Sequence, residues 1–228
     1  GNYSLQGTWQ KAPDMRGLAE VMSAQLSSKL YESLDLMGNF ADNHDEFGRV
    51  AHYCKFDQLR IKQALTWVMM AKGIPIVYYG TEQGLSGHQR QVDNPGQDAL
   101  RESIWQTRYR TDTWQYNFLK LLNGIRKEHR IGAGASEVRN FSETSLVFTR
   151  ACDSGRQVAW VFLNNLGNSS VGQPQRYCPG PLPGIEGQAW FDVISGSRMD
   201  QRLSEGCFLA PDAGPKILVL QMDDVLYS

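Results

Sequence analysis

The sequence has no long hydrophobic run. Its longest apolar stretches fall far short of the roughly 18–20 residues that a membrane-spanning helix requires. It also lacks an excess of either charge: 23 Lys and Arg stand against 24 Asp and Glu, a net charge of −1, with the two signs interspersed. No basic stripe points to nucleic acid, and no charged block marks a tail. Cysteine is sparse. Cys54, Cys152, Cys178 and Cys207 include no C-x-x-C pair, which argues against zinc and thioredoxin-like sites. One or two disulfides and four buried thiols both remain open, and with them the compartment. The opening residues, "GNYSLQGTWQ", have neither the charged nor the apolar region of a signal peptide and no initiator Met, so a processed chain or a fragment is expected. Internal repeats and extended low-complexity tracts are also missing.

What is present is an ordinary globular composition. The 228 residues are 41% apolar and 21% charged, enough for one or two domains with a core. Leu18, Val21, Met22, Leu26 and Leu30 follow the helical period and predict a surface helix over Arg16–Ser33. Leu36–Ala41 reads as a short strand. Ile61, Ala64, Leu65, Val68 and Met69 predict a helix over Leu59–Ala71, stopped by Gly73. "IPIVYYG", from Ile74 to Gly80, is continuously apolar between two glycines. It predicts a strand buried on both faces, with Pro75 tolerated at its start. A long polar loop, Thr81–Glu102, precedes a third helix marked by Trp114, Phe118, Leu121, Leu122 and Ile125. The alternation of helix and strand implies βα units and a parallel sheet.

After the linker-like "RIGAGAS" the pattern changes. "SLVFTR", "QVAWVFLNN", "AWFDVI" and "KILVLQ" are short β-rich runs separated by turn-rich "NNLGNSS" and "CPGPLPG". They predict a second, all-β domain, an antiparallel sandwich. The expected division is residues 1–132, α/β, and residues 133–228, β. Two parallel strands alone leave unpaired apolar edges. Further strands are therefore expected from elsewhere, or the chain is the C-terminal part of something larger.

In α/β folds, functional residues gather beyond the C-terminal ends of strands. Asn43-His44-Asp45 follows the first strand, and Glu82 and Gln83 follow the second, so both sets open onto one face. Local pattern leaves two readings of Asn43-His44-Asp45: a turn with a helix N-cap, or the rim of a binding site. Tyr78 and Tyr79 alternate along a buried strand, which makes at least one of them core. His52, His88 and His129 carry no metal-ligand spacing, so surface or capping roles are expected.

Motif order decides between the two readings. "GNFADNHDEFGRV" is followed about thirty residues later by "GIPIVYYGTEQGLSG" and then "LRESIW". This series resembles the C-terminal part of an α-amylase-family glycoside hydrolase. In that family the seventh barrel strand carries F-x-x-N-H-D, the eighth carries G-I-P-x-x-Y-x-G-x-E, an N-R-E-x-x-W segment follows, and a β-sandwich closes the enzyme. The resemblance covers nearly the whole chain. It implies the last part of a (β/α)8 TIM barrel followed by an antiparallel sandwich.

It also implies roles. Asp45 matches the family's third catalytic carboxylate, a transition-state stabiliser that hydrogen-bonds the 2- and 3-hydroxyls of the reacting sugar. Such bonds strengthen as the ring becomes oxocarbenium-like, and an ionised carboxylate makes them charge-assisted. His44 matches the imidazole that contacts the same sugar, Asn43 would hold the turn, and Arg101 matches the arginine that lies further along the cleft. Leu100 stands where the family has Asn, and "DNPGQDALR" loses the family's D-P-x-N-R spacing. Asp93 and Asp98 both remain candidates for the substrate-binding Asp. Glu82 is expected to support the strand end.

A retaining glycosidase needs a nucleophile and a general acid about 5 Å apart. The family's motifs for these, an Arg two residues before the nucleophilic Asp and a Glu on the next strand, do not occur upstream of Gly38. "DMRGLAE" has the wrong order and sits on a helix. The family's calcium is likewise expected with ligands outside this chain. The expectation is therefore an α-1,4-glucan hydrolase as the parent enzyme, working as a monomer by double displacement, and a chain that cannot hydrolyse starch by itself. A glucanotransferase, an α-glucosidase and a non-catalytic glycan-binding relative are the alternatives. Trp160 and Trp190 could stack on sugars, although core positions are favoured. Cys178 and Cys207 are the expected disulfide, and with it secretion.

Overall fold

The computed structural model describes residues 14–90, 96–152, 158–179, 190–199 and 207–220. Asp93 and the part of "CPGPLPG" after residue 179 lie outside them. The described residues of the first half contain four α-helices and one short pair of parallel strands. Helix α1 (Met15–Ser27) begins where the Asp14 side chain accepts the Arg16 N–H. It stops at an extended Ser28, six residues before the expected end, and Leu30 is left exposed rather than on the buried face. Helix α2 (Val50–Tyr53) is a single turn. Helix α3 (Gln58–Met70) is capped by Asp57, whose carboxylate accepts the Arg60 N–H. Helix α4 (Trp114–Glu128) is capped by Thr113 and ends at His129. These side-chain caps satisfy N–H groups that have no partner within the helix.

The parallel pair is shorter than its apolar sequences suggest. Strand β1 (Gly38–Asn39) pairs with β2 (Ile74–Pro75) in the register Gly38↔Ile74 and Asn39↔Pro75. Leu34–Leu36 is a 3-10 turn. Gly73 (φ +122°) is required here, because a Cβ on it would meet the Met37 carbonyl oxygen at 2.3 Å. The expectation that Ile74–Gly80 is buried on both faces does not hold: Ile74, Ile76, Val77 and Tyr79 are all exposed. The physical reason is that, among the described residues, β1 and β2 form a two-stranded sheet that leaves half the run uncovered.

The second half is antiparallel. Strands β3 (Ser136–Phe141), β4 (Ser145–Ala151), β5 (Val158–Asn164), β7 (Trp190–Asp192), β8 (Ser197–Met199) and β10 (Lys216–Leu220) form one sheet in the order β3-β4-β5-β10-β7-β8. Strands β6 (Gln175–Tyr177) and β9 (Phe208–Ala210) make a separate ribbon. Alternation along the central strands separates two apolar clusters. Leu146, Phe148, Val161, Leu163, Ile217 and Val219 pack with α1, α3 and α4 residues such as Met22, Leu65 and Leu122. Val147, Trp160, Phe162 and Leu218 pack with Tyr177, Phe208 and Ala210 of the ribbon. The sheet is thus covered by helices on one face and by a two-stranded ribbon on the other. Trp160 is buried, and Trp190 lies against it at 6.5 Å between ring centroids.

A polar network joins the helices to the sheet. The Gln63 amide donates to Ala213 O (2.9 Å) and its oxygen accepts Asn164 N (3.2 Å). Asn164 Nδ2 donates to Tyr177 Oη and Ala213 O, each at 2.9 Å. The cap residue Asp57 also accepts Asn168 N at 2.7 Å. Cys178 and Cys207 are joined by a disulfide, while Cys54 and Cys152 are free and buried. Burial pushes the Cys54 thiol up to about 12, so it is an inert core residue. Among the described residues, no helix is long and apolar enough to cross a membrane.

Candidate active site

The segment after β1 turns sharply, and Asn43 makes the turn. Its Oδ1 accepts Asp45 N (2.7 Å) and Glu46 N (3.1 Å), a local arrangement that Asn side chains favour. The turn projects His44 and Asp45 into solvent side by side. His44 Nε2 lies 3.2 Å from Asp45 Oδ2, and Arg101 Nη2 lies 3.4 Å from Asp45 Oδ1. Each carboxylate oxygen therefore faces a different side-chain nitrogen. Three of the sequence-derived candidates, His44, Asp45 and Arg101, meet at one point, and the fourth, Asn43, shapes the backbone beneath them. Arg101 is also tied to its own loop by Nη1, which donates to Gln97 O at 2.9 Å. Asp98 is exposed on the 3-10 turn Gln97–Leu100.

Glu82 does not join this group. Its Oε2 accepts Gly80 N (2.8 Å) and its carbonyl accepts the Thr113 hydroxyl (2.6 Å), which links the end of the β2 segment to the start of α4. Tyr78 and Tyr79 are not core residues. Tyr78 is half-buried and Tyr79 exposed, with ring centroids 4.7 Å apart, and Tyr78 is 6.4 Å from the His44 ring. Burial, followed by the adjacent Tyr79, pushes the Tyr78 phenol up to about 12. It remains a donor at physiological pH, and Leu100 O accepts its proton at 3.0 Å.

The charges that hold this face together are ones the sequence patterns did not single out. Arg49 is buried and bonds Glu102, while Asp42 accepts Val50 N (3.0 Å) and the Thr81 hydroxyl (3.2 Å). Burial raises the Asp42 pKa despite those bonds. Gly87 admits Ala99 closely: a Cβ there would lie 1.8 Å from the Ala99 carbonyl oxygen. His52 and His88 stack at 3.9 Å, and Gly48 and His88 form a β-bridge beneath the turn. The available signal was faint: a lone Arg directly before apolar residues in "GRVA" and a lone Asp directly after them in "FADN".

Comparison with known proteins gives this arrangement its setting. The family model described as "Alpha amylase, catalytic domain" matches residues 4–115. Alpha-amylase 2 of Schwanniomyces occidentalis is 32% identical over 170 residues, which cover 72% of this chain and 30% of that protein. The chain belongs to the α-amylase family of glycoside hydrolases. A cyclomaltodextrin glucanotransferase of Bacillus sp. (strain 17-1) is also similar, 26% identical over 85% of this chain and 24% of its own length. The fold matches the solved structure of an α-amylase from Malbranchea cinnamomea with a TM-score of 0.74, at 22% identity, over 96% of this chain and 44% of that one. The chain spans less than a third of the length of the Schwanniomyces and Bacillus relatives and less than half of the Malbranchea chain. Within the family match, all of Asn43, His44, Asp45 and Arg101 fall inside residues 4–115. Among the described residues, no group of three or more His, Cys, Asp or Glu is arranged to hold a metal ion. The described residues therefore bring together no carboxylate cluster of the kind that holds calcium.

Proposed function

We propose that the enzyme to which this chain belongs is a retaining α-amylase-type hydrolase that cleaves α-1,4-glucosidic bonds in starch- or glycogen-like glucans. The observation that carries this reading is the meeting of His44, Asp45 and Arg101 at the end of a parallel strand pair, with Asp45 between two side-chain nitrogens. Asp45 accepts hydrogen bonds from the 2- and 3-hydroxyls of the reacting sugar, and those bonds strengthen as positive charge grows on the ring. His44 donates to the same sugar from the opposite flank of the carboxylate. Arg101 borders the next sugar along, and the Asn43 turn keeps the set together. The nucleophile, the general acid and any calcium ligands belong to the rest of the enzyme.

Residues 1–132 are then the last βα units of a (β/α)8 barrel and residues 133–228 its C-terminal antiparallel domain. The exposed Ile74, Ile76, Val77 and Tyr79 support this, since further barrel strands would cover them. The enzyme works as a monomer and is secreted; the Cys178–Cys207 disulfide supports an oxidising compartment.

Reducing-end release from soluble starch tests the reading. The full-length enzyme is expected to be active and the 228-residue chain inert; activity in the short chain would refute the assignment of the missing carboxylates. In the full-length enzyme, Asp45→Asn is expected to lower kcat by about a hundredfold or more with little change in KM, because its bonds are made mainly in the transition state. The glucanotransferase relative favours one alternative, and chromatography of the products separates the two: linear maltooligosaccharides for a hydrolase, cyclic or elongated glucans for a transferase.

A further inference from the structure

Beneath the exposed Asp45–Arg101 contact lies a side chain that never reaches the surface. Arg49 has no solvent exposure, and each of its guanidinium nitrogens has a partner. Nε donates to Glu102 Oε2 (2.7 Å), Nη1 to Tyr79 O (2.7 Å) and Nη2 to Leu100 O (2.9 Å). The guanidinium carbon sits 4.5 Å from the Tyr78 ring centroid and 5.1 Å from that of Tyr79. The same Glu102 oxygen accepts Gly87 N (3.0 Å), and Arg49 N donates to Gly87 O (3.0 Å). Three segments therefore close on one cation, namely its own turn after β1, the Tyr78–Tyr79 run and the Leu100–Glu102 turn, while the loop at Gly87 is held by the Arg49 backbone and by Glu102.

A buried charge is retained at such a point only when it is fully paired, and the planar fork of arginine can hold two carbonyls and a carboxylate at once. The two residues that Arg49 grips on the distal turn, Leu100 and Glu102, flank Arg101. Asp45 lies four residues before Arg49 itself. The Arg101–Asp45 contact is long, at 3.4 Å, and exposed at both ends, so it cannot set its own geometry.

We propose that Arg49 is a positioning residue that sets the separation of Asp45 and Arg101 by clamping the turns that carry them. This rests on the reading of Asp45 and Arg101 as sugar-contacting groups. A displacement of about 1 Å at such groups is enough to cost one to two orders of magnitude in rate.

A mutant cycle in the full-length enzyme tests the clamp, with kcat and KM on maltoheptaose and the melting temperature recorded for each variant. Arg49→Lys keeps the charge and loses the fork. It is expected to lower kcat/KM by about tenfold to a hundredfold. In an Arg101→Ala background the same change is expected to cost several-fold less, because one of the two groups it positions is gone. An equal fold-loss in both backgrounds, or wild-type kinetics for Arg49→Lys, overturns the proposal. If Arg49→Lys does not fold, Tyr78→Phe carries the same cycle. It removes the hydroxyl bond to Leu100 O and leaves the ring beside Arg49. A wild-type enzyme with no activity on α-glucans would refute the functional reading instead. The crystal structure of Arg49→Lys or Tyr78→Phe then decides the clamp, and an unchanged Asp45–Arg101 separation overturns it.

Discussion

"IPIVYYG" and "VAWVFLN" look alike as sequences: short, continuous, β-branched and aromatic. In the structure they have opposite fates. The second is β5, a central strand with Ala159 to Leu163 buried by layers on both sides. The first contributes two residues to a parallel pair and leaves Ile74, Ile76, Val77 and Tyr79 exposed. Both runs have the composition of doubly buried strands. Only one has neighbours that cover both of its faces, so burial is a property of the neighbours and not of the run.

The largest effect that would break or sharpen this contrast comes from truncating one side chain on each run. Phe162→Ala is expected to destabilise the chain by about 3–5 kcal/mol, since it opens a cavity between the sheet and the ribbon. Ile76→Ala is expected to cost less than about 1 kcal/mol in the same 228 residues, because its side chain is already half in water. Urea unfolding of both variants decides it, and similar losses would mean that the β2 run is buried in solution.

A smaller effect is expected where the two regions meet. Asn164→Ala strips Tyr177 Oη and Ala213 O of a shared buried donor, at an expected cost of about 2 kcal/mol. Combining it with Gln63→Ala should cost less than the sum of the two, because both belong to one network. Additive losses in a double-mutant cycle would show that Gln63 and Asn164 act independently.

The smallest effect concerns the stacked rings under the Asn43 turn. Burial, and then the adjacent His88, lowers the His52 pKa from its ordinary value of 6.5. The unfolded chain therefore binds the proton more tightly than the folded one. Stability is fully present above about pH 6.5 and declines as pH falls from there through the folded value. His52→Gln is expected to narrow the difference in melting temperature between pH 7.5 and pH 5.5. A gap that stays as wide would assign the acid sensitivity to other groups.

Much of this was legible beforehand. The periodicity of Ile61, Leu65, Val68 and Met69 located α3. The motif order marked His44, Asp45 and Arg101, and those three do meet. The end of α1 was not legible, because Leu30 continues the helical period past the point where the chain turns extended at Ser28. The helical cover on one face of the antiparallel sheet was equally hidden, since alternation shows that a strand has two faces but not what lies on each.

The sequence by itself determined the local elements, the sign and spacing of the site's side chains, and the family they belong to. These follow from backbone preferences and short-range order along the chain. Tertiary structure alone decided that Arg49 is buried and clasps Glu102, that Gly87 admits Ala99, and that Asp45 faces Arg101 across a sequence separation of 56. Such pairings depend on which distant segments share a volume, and a buried charge is stable only where that sharing supplies its partners.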